Sequence, residues 1–191
     1  MIRLFADTAS NLPVALNKNY NVNIIPLSYT VDGVLAEYDL EHDFDGKAFY
    51  DAMRNGAEMK TSMANSELFR ESFEEAAKNG DDVIYIGLSA GISGTCRAAE
   101  IAAEEVIEEY PEAKIHVINS LGAGLGIGMQ VVEIAKLIEE GKTFEEVVSI
   151  SEERKHHMCQ FFTVDDLTYL KKGGRISGAT AADSINASLK L

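Results

Sequence analysis

The sequence predicts an α/β fold, a mostly parallel sheet with helices on both faces. Two observations predict it. Apolar runs of strand length alternate with segments of helix length along the chain, the pattern of strands joined by crossover helices. The clearest unit runs from Val83 to Thr95: the apolar strand Val83-Ile84-Tyr85-Ile86-Gly87-Leu88, the turn Ser89-Ala90-Gly91-Ile92-Ser93-Gly94-Thr95, and a helix from Thr95 to Glu109 that stops before Pro111.

The other elements follow in order. Ile2 to Ala6 is a short strand ending at Asp7, and Pro13 suits the first turn of a helix. Val22 to Ile25 reads as the second strand. Leu27 to Val31 and Val34 to Tyr38 flank Asp32-Gly33, a pair that favours a tight hairpin turn. Asp45 caps a helix that ends near Asn55-Gly56. Met59 to Met63 reads as a loop with adjacent hydroxyls, and Ser66 as the cap of a helix ending at Asn79-Gly80. Ile115 to Asn119 is a strand, Ser120 to Gly128 a glycine-rich loop, and a helix then runs to Glu140. Thr143 and Glu146 make a capping box for one more helix. Cys159 to Val164 reads as a strand, and Asp165 as the cap of a short helix closed by Lys171-Lys172-Gly173-Gly174-Arg175.

Composition narrows the function classes. With 46% apolar and 25% charged residues the chain can bury a sizeable core, and a net charge of -14 argues against nucleic acid and anionic membrane surfaces as partners. No apolar run approaches a membrane span. The chain opens directly on an apparent strand, so no signal peptide is expected. Two cysteines, Cys96 and Cys159, make neither a disulfide framework nor a zinc set, which points to a reducing cytoplasm.

Ligands of parallel sheets sit beyond the carboxyl ends of the strands, where the loops at Asp7, Ser89 and Ser120 follow. A helix N-terminus offers free N–H groups and a partial positive charge to a carboxylate or phosphate. Thr61-Ser62 and Ser93-Gly94-Thr95, taken singly, read as turn and cap residues. Together they make a carboxylate clamp of hydroxyl and N–H donors with no general base beside them, and Ser120 is a candidate rim hydroxyl. No catalytic residue, metal ligand or cofactor is assigned.

Competing motifs are weaker. Gly87-Leu88-Ser89-Ala90-Gly91 fits the nucleophile elbow of a serine hydrolase, but the order nucleophile, acid, histidine could be met only with a glutamate, because no Asp lies between Ser89 and His157. Gly122, Gly124, Gly126 and Gly128 miss the dinucleotide spacing, because Ile127, Met129 and Val131 stand where glycine is needed. Close packing and a permissive turn explain them. His156-His157 near Cys159 fits no strong zinc pattern and reads as a surface helix end. Lys171 and Lys172 compensate a helix C-terminus, whereas Arg175 lies beyond the glycine stop.

These loops, in this order, resemble the DegV family of bacterial fatty-acid-binding proteins. Asp7 to Pro13 resembles its opening D-S-x-x-D-L-P, Lys60-Thr61-Ser62 its K-T-S loop, Leu88 to Thr95 its L-S-S-G-L-S-G-T loop, Asn119-Ser120 its D-S loop, and Tyr169 to Ser177 its Y-L-K-K-G-G-R-I-S signature. The departures are Thr8, Asn11, Met63-Ala64-Asn65 and Asn119, none of which removes a clamp hydroxyl. The resemblance implies a long-chain fatty acid whose carboxylate is held around Thr61, Ser62, Ser93 and Gly94, its tail lying between two domains. It also implies a carrier rather than a catalyst, similar to the lipid-binding subunit of fatty acid kinase, with Arg175 supporting presentation of the acyl group to a separate kinase subunit.

The family continues past Leu191, so the expected organisation is a DegV-like α/β domain over 1–155 and the incomplete start of a lipid-covering second domain over 156–191. A truncated tunnel predicts weaker binding or a homodimer covering the exposed apolar surface. Two other readings stay open: a small serine hydrolase using Ser89, and a structural remnant that binds no lipid.

Overall fold

The computed structural model describes residues 1–38, 44–161, 163–164 and 166–176. It divides into two units, Met1–Met158 and Cys159–Leu191. In chain order the first unit contains β1 (Ile2–Asp7), α1 (Val14–Tyr20), β2 (Asn23–Ile25), β3 (Leu27–Val31), β4 (Val34–Tyr38), α2 (Gly46–Arg54), β5 (Met59–Ser62), α3 (Ser66–Lys78), β6 (Asp82–Gly87), α4 (Thr95–Glu109), β7 (Ile115–Asn119), α5 (Leu125–Glu139) and α6 (Phe144–Arg154). The second contains α7 (Leu167–Lys172).

Four strands form a parallel sheet in the order β2-β1-β6-β7. Side chains alternate across it, and each face has its own helices. Leu4, Ala6, Ile84, Ile86 and Ile118 pack with Ile127, Val131 and Ile134 of α5 and Val147 of α6. Phe5, Val83 and Tyr85 pack on the other face with Phe69 and Phe73 of α3 and Ala99, Ala102 and Val106 of α4. The expected α/β layering is therefore present, and strands buried on both faces explain the nearly continuous apolar run of β6.

The hairpin belongs to a second, antiparallel sheet of order β4-β3-β5. Asp32 and Gly33 have φ of 50° and 82°, the left-handed geometry a two-residue hairpin turn requires. The Leu27 amide donates to Thr8 Oγ1 at 3.0 Å, which anchors this sheet to the loop after β1.

Several expectations are corrected. Met59 to Ser62 is a strand, not a loop: a polar tetrapeptide carries little apolar signal, but its backbone satisfies the free edge of β3. Asn65, not Ser66, caps α3, its side chain accepting from the Leu68 amide at 2.9 Å; the two residue types are near equals as caps. The α5 helix begins at Leu125, inside the stretch read as a glycine loop. Its Gly128 lies so close to the loop after β1 that a Cβ would stand 2.7 Å from the Ser10 carbonyl oxygen. Cys159 to Val164 forms no strand among its described residues, where no paired edge supplies a ladder. Asp165 lies outside the described residues, as do Ser177 and the tail beyond it; the cap of α7 is Asp166, which accepts from the Thr168 amide at 2.7 Å. The capping box of α6 forms as expected.

One buried group fixes the carboxyl end of the parallel sheet. Asp7 is fully buried and accepts from the Tyr85 hydroxyl at 2.7 Å, the Leu88 amide at 3.1 Å and the Ala9 amide at 2.9 Å. A Cβ at residue 87 would collide with the Tyr85 hydroxyl, so glycine there makes room for this bond. Burial pushes the Asp7 carboxyl above its usual range, against the pull of Tyr85, Leu88 and Ala9.

Tyr85→Phe is expected to cost about 1–3 kcal/mol in urea unfolding, because a hydrogen bond to a buried carboxyl is lost. Gly128→Ala is expected to cost about 1–3 kcal/mol by the same measurement, through overpacking against a backbone oxygen. A folded pKa raised above 3.8 means that Asp7 contributes most stability below that value and loses it as pH rises through the raised one. The stability of the chain minus that of Asp7→Asn is therefore expected to fall with rising pH across this window. Urea titrations at stepped pH check the sign.

Candidate functional site

The loops after β1, β6 and β7 meet at the carboxyl ends of the parallel strands. The loop between β6 and α4 is closed on itself. The Ile92 and Ser93 amides donate to the Ser89 carbonyl at 3.0 and 3.1 Å, and the Gly91 amide donates to Ser89 Oγ at 3.3 Å. The Ser89 amide donates to the Gly122 carbonyl at 3.0 Å, joining this loop to the one after β7. Ser89 thus spends its groups on shaping the loop.

Ser93 is half-buried and Gly94 exposed, at the start of α4. Ser93 Oγ accepts from the Thr95 amide at 3.2 Å and lies 2.8 Å from the Thr95 hydroxyl. Thr95 itself is fully buried, so its hydroxyl supports Ser93 from beneath. The residue before this helix, Gly94, has no side chain to cap it; Ser93 takes the Thr95 amide, and the next N–H groups of the first turn remain as donors.

The hairpin sheet approaches this turn through one residue. Met63 directly follows β5, and its sulfur lies 2.8 Å from where a Cβ of Gly94 would stand. The Met63 side chain therefore lies over the Ser93-Gly94 turn. Thr61 and Ser62 are exposed, and their hydroxyls have no partner among the described residues. The structure therefore brings Met63, the residue after Ser62, against Gly94.

Ser120 is placed differently. It is buried, its Oγ lies 3.1 Å from the donating Gly122 amide, and its carbonyl accepts from Gln130 Nε2 at 3.1 Å. It shapes the loop after β7 from inside. Arg175 lies in the second unit, exposed, its guanidinium donating to the Gly173 carbonyl past the end of α7. Sequence reasoning missed Asp7 as the buried tie and Asn119 as a bridge, its side-chain oxygen accepting from the Ala90 amide at 3.1 Å and the Leu121 amide at 3.2 Å. Their position at strand ends was the available signal.

Apolar side chains stand along this rim. Met63, Ile92, Leu121, Leu125 and Met129 are 56%, 42%, 49%, 68% and 58% exposed. Leu125 and Met129 are one turn apart on α5, and Leu121 is held at a φ of 56°, a strained geometry for a leucine.

The alternative reading of Ser89 as a nucleophile finds no support among the described residues. A nucleophile elbow needs a strained serine followed at once by a helix, but Ser89 is not in a left-handed geometry and α4 starts six residues later. His116, on β7, pairs through Nε2 with Glu152 on α6 at 3.1 Å. Burial, with the charge of Asp7, pushes the Cys96 thiol up to about 12, and it donates to the Leu88 carbonyl at 3.3 Å, which leaves it a packing residue. The glycine run serves packing and turning: Gly124 has a φ of 53°, and Gly128 meets Ser10. Among the described residues no group of three or more His, Cys, Asp or Glu side chains could hold a metal, and no helix is long and apolar enough to cross a membrane.

Comparison with known proteins agrees with this architecture. The chain matches the DegV family model over residues 1–186. It is 37% identical over 187 residues to a DegV domain-containing protein of Clostridium perfringens, covering 98% of this chain and 64% of that one. A DegV family protein of Thermus thermophilus, solved in a study of its fatty-acid binding, superposes with a TM-score of 0.83 at 32% identity, covering 100% of this chain and 65% of that one. A stearic acid-binding protein of Eubacterium ventriosum superposes with a TM-score of 0.82 at 26% identity, covering 95% and 64%. The chain thus spans just under two thirds of the length of these relatives. On the family match and the shared fold, this chain belongs to the DegV family.

Proposed function

We propose that this chain binds a long-chain fatty acid without transforming it. The observation that carries the reading is the rim itself: exposed hydroxyls of Thr61 and Ser62 with no partner among the described residues, next to Met63, whose side chain lies over the Ser93-Gly94 turn, with exposed apolar side chains alongside. Neutral donors suit a carboxylate, and apolar surface suits an acyl tail. The fatty-acid binding of the Thermus thermophilus and Eubacterium ventriosum relatives supports the same ligand class.

The two parts of the ligand are held by different physics. Each buried methylene of the tail contributes about 0.8 kcal/mol, so the tail supplies most of the affinity. The head supplies orientation: hydroxyls and helix N–H groups hold the carboxylate, and no adjacent base or nucleophile attacks it. A carrier with this arrangement leaves the carboxylate near the surface, where a separate kinase subunit can meet it. Arg175, exposed on the second unit, is the proposed support for that encounter. The ligand set includes no cofactor, the site of action is the cytoplasm, and a homodimer is the proposed cover for the apolar rim.

Ser93→Ala removes both the acceptor of the Thr95 amide and a hydroxyl of the clamp. It is expected to weaken fatty-acid binding by about tenfold or more while leaving the protein folded. A displacement titration with circular dichroism on the same samples checks this. Unchanged affinity in a folded variant would remove Ser93 from the clamp.

A further inference from the structure

The hairpin sheet and α2 face each other across a cavity of about 490 Å3, a volume within the usual range of small-molecule sites. Phe49 and Ala52 of α2 line it, yet no residue of that helix is buried. Protein interiors close-pack, so two apolar faces that stand apart in this way leave room for a guest. Four rings line the cavity: Tyr29, Tyr38, Phe44 and Phe49. Tyr29 meets Phe44 at 85° and Phe49 at 87°, with centroids 6.2 and 5.3 Å apart. An edge-to-face pair uses one face of one ring and leaves both faces of the other unspent. Such faces carry negative charge density that attracts a cation.

The charged lining has one sign. Glu37 and Asp45 line the cavity, and among the described residues no Lys, Arg or His does. Asp45 gives one oxygen to the Ala48 amide at 2.9 Å, which caps α2, and keeps its second oxygen. The two cations of α2, Lys47 and Arg54, both pair with Asp51 instead, at 2.6 and 3.1 Å. Two carboxylates with no neutralising partner in the lining repel an anionic ligand and favour a positive one.

We propose that the cavity between the hairpin sheet and α2 binds an organic cation, an ammonium group carried on an apolar body. The body fills the gap between the two apolar faces, and the ammonium meets the ring faces and the carboxylates of Glu37 and Asp45. This ligand class is opposite in charge to the fatty acid proposed above, and either reading stands without the other.

Benzyltrimethylammonium, benzyl alcohol and benzoate share a ring and differ in charge, so they test the proposal on the full chain at constant ionic strength. The ring resonances of Tyr29 and Phe49 are followed. The cation is expected to shift them saturably, the alcohol to bind about threefold or more weaker, and benzoate to leave them unmoved. Asp45→Asn removes one charge but keeps the helix cap, since Asn caps a helix as well as Asp does. It is expected to weaken the cation about threefold or more and to leave the alcohol unchanged. Ala52→Phe, which fills the cavity, is expected to abolish the saturable shift, with circular dichroism reading the fold. No saturable binding of the cation, equal binding of benzoate, or a cation indifferent to either variant overturns the proposal. Should a variant fold poorly, the order of the three probes on unaltered protein decides alone. Displacement of the bound cation by stearate would assign the cavity to the acyl site and overturn it as a site of its own.

Discussion

The buried carboxyl of Asp7 is the interaction on which the rim depends. It stands at the end of β1 and collects donors from three places: the Tyr85 side chain of β6, the Leu88 amide that opens the next loop, and the Ala9 amide in its own loop. Burying such a group costs several kcal/mol, and three directed hydrogen bonds offset much of that. The bargain also explains Gly87, which leaves space for the Tyr85 hydroxyl. Because Leu88 leads directly into the loop of Ser89 and Ser93, the position of that loop is inherited from a fully buried group.

From that anchor the site is assembled by backbone contacts. The loops after β6 and β7 are joined by the Ser89–Gly122 bond and by Asn119. The hairpin sheet is tied in through Thr8 and through the approach of Met63 to Gly94. Side chains that hold loops are thus separable from those left facing outward. Ser89, Thr95 and Ser120 hold; Thr61 and Ser62 are exposed, and the half-buried Ser93 is bonded to Thr95. A site of neutral donors beside apolar surface discriminates by shape and hydrogen bonding.

Much of this was legible in the chain. The apolar strands, the Asp32-Gly33 turn, the capping box at Thr143 and the span of α4 follow from local rules, and the structure agrees with them. The hydroxyl loops stood out because small hydroxyl residues recur at strand ends. What was hidden depends on long-range partners. The strand β5 has little apolar pattern of its own and exists because β3 offers an edge. Close packing was a legible reading of Gly128, but its place inside α5 and its partner, the Ser10 carbonyl, appear only in three dimensions. Asp7 read as the end of a strand, since nothing local reveals that Tyr85, 78 residues away, reaches it. Ser120 shows the converse: a hydroxyl in the right loop that the fold turns inward.

The account stands on a rim able to retain an acyl chain in the length of chain described by this sequence. The most direct measurement is native mass spectrometry of the purified protein, followed by solvent extraction and identification of whatever is released. The account predicts a co-purified fatty acid in near-stoichiometric amount. Protein that is empty as purified and stays empty after incubation with fatty acid would contradict it.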